Sequence, residues 1–257
     1  MEYFIICLAA ISASGLTLFS GFGTGTLLMP VFAIFFPVGI AIALTAVVHL
    51  LNNLFKLALI GKYADKGAVL SFGLPAVAAS FIGARLLLSL SALKPLAEYH
   101  IFGREFQIMP VKIIVASLMI VFALSDILQN PGKILFDKKY LPIGGILSGF
   151  FGGLSGNQGA LRSAFLVKSG LSSKNFIGTG VVIACMVDLT RITVYGALFS
   201  RPAGAENLPL LAAATFSAFS GAFIGSQFMT KVTMQNIRML VAIMLFCIAA
   251  LLGAGII

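Results

Sequence analysis

The chain has 257 residues, of which 60% are hydrophobic and only 10% charged, and its mean hydropathy is +1.08. A soluble domain carries about 25% charged residues; here apolar runs near the length of a membrane span recur between short charged loops, which excludes a water-soluble globule. The net charge of +9 comes from 17 Lys and Arg against 8 Asp and Glu, and most of these cations sit in loops with no basic-aromatic cluster, which excludes a nucleic-acid surface and points to membrane orientation and anionic-lipid contact.

In chain order, the N-terminal MEYFIICLAAISASG lacks the positive n-region of a signal peptide and carries Glu2 instead, so it reads as part of the mature chain. Tyr3 to Ser20 predicts an apolar helix that stops at Gly21, Gly23 and Gly25. Thr26 to Phe36 predicts a second helix, too short for a hydrocarbon core of about 30 Å. Together they form a hairpin or a broken helix rather than two spans. Ile40 to Ile60 is long enough to cross, and Gly61 to Gly67 is a charged loop with Lys62, Asp65 and Lys66. Ala68 to Leu90 is the next span, followed by a polar loop with Lys94, Glu98, His100, Arg104 and Glu105, and by the span Val111 to Leu128.

A linker from Gln129 to Tyr140 separates two halves, with membrane repeats over residues 1–130 and 141–257 around a cytoplasmic segment at 131–140. Leu141 to Leu154 repeats the opening, and Ser155-Gly156-Asn157-Gln158-Gly159 leads into a short segment from Ala160 to Val167. Phe176 to Phe199, Leu208 to Met229 and Ile237 to Ile257 are the closing spans. Cys7, Cys185 and Cys247 lie in apolar segments at unrelated spacings; no zinc or disulfide framework follows, and they read as buried small hydrophobes.

The halves align. Gly15 and Gly25 fall on Gly149 and Gly159, and Ala41-x3-Thr45 falls on Asn175-x3-Thr179, at one common offset. With one inserted residue Asn53 and Lys56 fall on Asp188 and Arg191, and Ser80-Phe81-Ile82-Gly83 matches Ala222-Phe223-Ile224-Gly225 slightly further on. Their shared order implies an internal duplication. If each hairpin enters and leaves on one side, each half crosses an odd number of times and the second half is inverted. A cytoplasmic linker then places Lys62, Lys66, Lys133, Lys138, Lys139, Lys168, Lys174, Lys231 and Arg238 inside, against Lys94, Arg104, Lys112 and Arg201 outside, in keeping with the positive-inside rule. The expected fold class is an all-α polytopic membrane protein. It has two inverted-topology repeats, each a broken or re-entrant helical hairpin plus three full transmembrane helices, with both termini outside. Paired broken segments of this kind mark a transporter binding site.

The glycine-rich G-x-G-x-G at Gly21, Gly23 and Gly25, followed by Pro30 and, further on, by Thr45, resembles the TauE/SafE family of sulfite exporters. Gly149, Gly152, Gly153, Gly156, Gly159 and Thr179 match the second copy, where Ala164 stands in the place of the proline and Asn157-Gln158 interrupt the glycines. The resemblance covers essentially the whole chain. It implies export of sulfite or organosulfonate anions across the cytoplasmic (inner) cell membrane.

Candidate residues follow from the physics of broken helices. A helix starting near Gly25 or Gly159 leaves its first N–H groups unpaired, glycine lets a ligand approach them, and the helix dipole favours an anion there. The substrate-binding set is therefore Gly23, Thr24, Gly25, Thr26, Asn157, Gln158, Gly159 and Arg162, the last a forked donor suited to oxyanions. The gating or coupling set is His49, Asn53, Lys56, Arg85, Asp188 and Arg191, all embedded and hence costly without a partner or cavity. Asp188 and Arg191 can pair at i, i+3, Arg85 is a second candidate neutraliser of Asp188, His49 titrates in a range suited to proton coupling, and Asn52 joins the polar lining. Ala79–Gly83 and Gly221–Gly225 read as helix-packing surfaces.

Gly153-Leu154-Ser155-Gly156 resembles the motif of intramembrane serine proteases, but no histidine follows Ser155 to act as base. The composition is also compatible with a channel, a transporter of another anion or of a metal, and a lipid-linked scaffold. The expectation is a secondary transporter rather than an enzyme, with no catalytic residues, no cofactor and no metal. Its partners are a small anionic substrate and the lipid bilayer, without nucleic acid; proton coupling and a homo-oligomer are left open.

Overall fold

A computed structural model describes residues 2–20, 24–101, 103–128, 136–199, 207–228 and 234–257. The first half contains α1 (Glu2–Ser20), α2 (Thr24–Phe35), α3 (Val38–Ile60), α4 (Lys66–Ser91, with a π-helical turn at Val69–Gly73) and α5 (Pro110–Leu128). The second contains α6 (Leu141–Ser155), α7 (Gly159–Leu166), α8 (Ser173–Phe199), α9 (Leu208–Phe228) and α10 (Met234–Gly253). Among the described residues, four stretches are long and apolar enough to cross a membrane: Val38–Tyr63, Lys66–Ser91, Ser173–Gly196 and Leu208–Gly225. Shorter apolar helices occupy Glu2–Gly15, Thr24–Phe35, Pro110–Ser125 and Val241–Gly253. The helical membrane class is thus as expected, and the two predicted hairpins appear as α1–α2 and α6–α7.

Local chemistry sets the breaks. Gly156, at φ +82°, ends α6 in the left-handed conformation that glycine adopts without cost, and its N–H donates to the Gly152 carbonyl at 3.0 Å. Asp65 caps α4 by accepting from the Ala68 N–H at 2.7 Å, which starts that helix two residues earlier than the hydropathy suggested. Every residue of α2 from Thr24 to Ala33 is buried. A helix too short to span is therefore enclosed by protein, the condition for a chain break at membrane depth.

Two glycine seams join the halves. Along α1 and α9, a Cβ on Gly15 would stand 3.1 Å from the Gly221 carbonyl oxygen, and one on Gly221 would overlap the Ile11 carbonyl. Along α4 and α6, side chains at Gly145, Gly149 and Gly153 would overlap the carbonyls of Phe72, Ala76 and Ser80. Backbone-to-backbone contact of this kind is open only to the smallest residue. The packing roles expected of Ala79–Gly83 and Gly221–Gly225 are met here, Gly83 lying on the Phe150 carbonyl and Gly225 on Gly15. The arrangement is reciprocal: the first helix of each half packs on the fourth of the other, while α3 packs on α8 and α5 on α10.

Three expectations need correction. The polar loop after α4 is a hairpin, β1 (Ala97–Ile101) antiparallel to β2 (Arg104–Ile108), so His100 lies on a strand opposite Glu105. Its charged residues alternate with Tyr99, Ile101, Phe106 and Ile108, the period of a strand. The Tyr99 hydroxyl donates to the Ala254 carbonyl and Gly255 packs on Gln107, which puts hairpin and C-terminal end on one side, where the expected topology places both. None of the cysteines is buried, and Cys247 is exposed, because each lies toward the outward-turned face of its helix rather than in the core. Arg85 is exposed on α4, over the Phe81 ring at 5.3 Å, and stands apart from Asp188.

Candidate functional site

The centre of the fold is the contact between α3 and α8, where two buried polar stripes face each other. His49, Asn52, Asn53 and Lys56 recur at helical spacing on one face of α3, all at most 6% exposed. Asp188, Arg191 and Tyr195 do the same on α8, all at 0%. The broken hairpins end against this seam. A Cβ on Gly25 would lie 3.4 Å from the Gly156 carbonyl oxygen and 3.5 Å from Thr45 Cγ2, and one on Gly156 would lie 3.3 Å from Arg191 Nη1. The start of α2 therefore meets the α6–α7 turn, in close contact at Gly25 and with the left-handed backbone of Gly156 making the turn.

Asp188 is the hub. Its Oδ2 lies 2.6 Å from His49 Nδ1. An ionised carboxylate only accepts, so Nδ1 carries the proton and Nε2 is left to accept from the Asn53 amide at 3.3 Å. Asp188 Oδ1 accepts from Gln158 Nε2 at 2.8 Å and from Arg191 Nε at 3.0 Å. Arg191 Nη2 adds an ion pair at 2.8 Å without hydrogen-bond alignment, and Nη1 donates to the Gly152 carbonyl at 3.2 Å. The expected Asp188–Arg191 pair is formed, and it reaches across to His49 in the other half.

The surrounding shell fixes this geometry. Ser148 donates to the Gln158 carbonyl at 2.9 Å, and Arg162 Nη1 donates to Gln158 Oε1 at 3.3 Å. Tyr195 donates to the Gly153 carbonyl. Asn52 donates to Ser14 at 2.9 Å and to Thr24 at 3.1 Å, tying α3 to α1 and α2. Thr179, from the second copy of the family-like motif, accepts from the Asp65 N–H at 2.8 Å, whereas the buried Thr45 hydroxyl has no hydrogen bond among the described residues.

The charges do not balance. Arg191 neutralises Asp188, but Arg162, 8% exposed, is bonded to a neutral amide. Lys56, 6% exposed, has no hydrogen bond or ion pair among the described residues, and the charge acting on it is that of Arg162, another cation. Buried charges are ordinarily paired. A binding element for an anion is what such a cluster supplies.

Of the residues picked out from sequence, Thr24, Gly25, Gln158 and Arg162 converge with His49, Asn53, Lys56, Asp188 and Arg191 on this seam, while Asn157 is buried next to Gln158 in the chain and Gly159 begins α7. Thr26 is buried one turn into α2, Arg85 lies elsewhere, and Gly23 is outside the described residues. Sequence reasoning misses Ser14, Ser148 and Tyr195. Ser14 and Ser148 sit one residue before Gly15 and Gly149, so the same repeat offset marks them, and Tyr195 follows Arg191 by one helical turn. The Ser155 hydroxyl donates to the Phe151 carbonyl at 3.0 Å and His49 is committed to Asp188, so no serine–histidine pair forms.

A family model described as "Sulfite exporter TauE/SafE" matches residues 5–252. No curated protein and no solved structure matches the chain. With nearly its whole length aligned, and with its broken hairpins meeting at a buried polar seam, the chain belongs to the TauE/SafE family of sulfite-exporting membrane transporters.

Proposed function

We propose that the protein is a secondary transporter that moves a small sulfur-containing anion, sulfite or an organosulfonate, outward across the cytoplasmic membrane. The observation that carries this reading is the excess of buried cations: Lys56, Arg162 and Arg191 gather around a single carboxylate, Asp188, which Arg191 already pairs. Arg162 sits one turn into α7, whose start contributes N–H groups and the positive end of its dipole. Its guanidinium presents a fork matched to an oxyanion. An open cleft of about 400 Å³, lined by Val167, Leu171, Ser173, Phe176 and Ile177, adjoins the far end of α7.

Transport proceeds by alternating access around this site. The two halves are inverted repeats in this reading, supported by their reciprocal helix pairing. Coupling to protons falls to His49, whose ring bridges Asn53 and Asp188 across the seam. The test is flux in liposomes holding the purified protein. The panel covers sulfite, organosulfonates, carboxylates and divalent metals under imposed pH gradients. Saturable sulfite or sulfonate flux, abolished by Arg162→Ala in a monodisperse variant, is expected. Flux of metals alone overturns the reading, and non-saturating conduction makes the protein a channel.

A further inference from the structure

Resting on the anion-transport reading above, we infer that Lys56 and Arg162 together select substrates carrying two negative charges, such as the sulfite dianion or a sulfonate with a second acidic group, over monoanions and zwitterions. Within the cluster Arg191 and Asp188 cancel, and His49 is neutral with Nδ1–H donated to Asp188 and Nε2 accepting from Asn53. Two cations remain. A monoanion would leave one of them buried and uncompensated; a dianion leaves none.

Placement separates their tasks. Arg162 comes from α7 and is hydrogen-bonded to Gln158, beside Gly180, where a Cβ would come within 3.5 Å of its Nε. The guanidinium is thereby oriented, as holding one planar face of an oxyanion requires. Lys56 comes from α3, one turn beyond Asn53, and no hydrogen bond fixes its ammonium. An ammonium is a compact charge on a flexible stem, able to follow a second negative group wherever the substrate carries it. The neutral neighbours Asn53 and Gln158 supply no charge, so the preference for a second negative charge rests on Lys56.

The experiment compares sulfate, a dianion, with methanesulfonate, a monoanion of nearly the same size, by titration calorimetry on purified protein near neutral pH. The wild type should prefer sulfate. Lys56→Gln should weaken sulfate about tenfold or more and methanesulfonate less than about threefold, Lys56→Arg should keep the preference, and Arg162→Gln should weaken both. A wild type that prefers methanesulfonate, or a Lys56→Gln variant that weakens both anions equally or neither, overturns the inference while leaving the anion site standing. A wild type that binds neither anion overturns the transport reading itself, and the inference with it. The wild-type comparison needs no variant to fold, and gel filtration shows whether each variant is monodisperse.

Discussion

Replacing Asp188 by Asn tests whether one carboxylate organises the seam. The carboxylate takes His49 at 2.6 Å on one oxygen, and Gln158 at 2.8 Å and Arg191 at 3.0 Å on the other. All three are donors, whereas Asn offers one acceptor oxygen and an NH2 group. Turned toward Gln158 and Arg191, its NH2 meets two donors; turned toward His49, it forces the imidazole into the other tautomer and breaks the Asn53 contact. Arg191, fully buried, loses its counter-charge and keeps neutral partners such as the Gly152 carbonyl. Hydrogen bonds to charged groups contribute about 1.5–3 kcal/mol each, and removing one partner of a buried pair costs about 3–5 kcal/mol. The second figure governs, because the bonds are not independent. Asp188→Asn should therefore lose about 3–5 kcal/mol in equilibrium unfolding from mixed detergent micelles, followed by circular dichroism. Asp188→Asn combined with Arg191→Met, which removes the orphaned charge, should recover at least about 2 kcal/mol of that loss. A single variant within about 1 kcal/mol of the wild type, or a double variant no better than the single, would refute the reasoning.

The other expectations concern the glycines and Gln158. Gly153→Ala and Gly221→Ala press a methyl group onto the Ser80 and Ile11 carbonyls of the partner helices, and each should cost about 1–3 kcal/mol in the same unfolding assay. Gly196→Ala on α8, where a Cβ meets nothing within 4 Å among the described residues, should be neutral or stabilising by up to about 1 kcal/mol. Gly156→Ala forces a side chain into the left-handed region at φ +82° and toward Arg191 Nη1, costing about 1–2 kcal/mol; its sulfite flux should fall further than its stability does. Gln158→Glu sets a second carboxylate at the Asp188 oxygen, where Gln158 now donates at 2.8 Å, and should abolish anion binding in a folded protein, read by calorimetry.

Much of the fold is legible in the sequence because hydropathy reports what a membrane demands. Runs of apolar residues mark the spans, and glycines in apolar surroundings mark the breaks. The i, i+3 spacing marks the Asp188–Arg191 pair, which is local on one helix. What periodicity cannot convey is which helix faces which. The His49–Asp188 contact joins residues far apart in the chain, and only packing of α3 on α8 reveals it. Arg85 illustrates the same limit: its position along α4 matches the site in depth, but its direction, set by the glycine seam on the opposite face, turns it outward over Phe81. The β-hairpin escapes a sequence reading for a different reason, since charged side chains in a loop between spans outweigh the alternation that marks a strand.

The two glycine seams also bear on what can move. Each joins a helix of one half to a helix of the other through backbone contact, so α1 travels with α9 and α6 with α4. Separating the halves as intact units would tear both seams at once. The natural mechanical blocks are hybrids, each spliced from both halves of the chain. The border between them is the contact of α3 and α8, hydrogen-bonded through His49 and Asp188 and closed at one end by Gly178 against the Ile60 carbonyl, and there the two short arms meet.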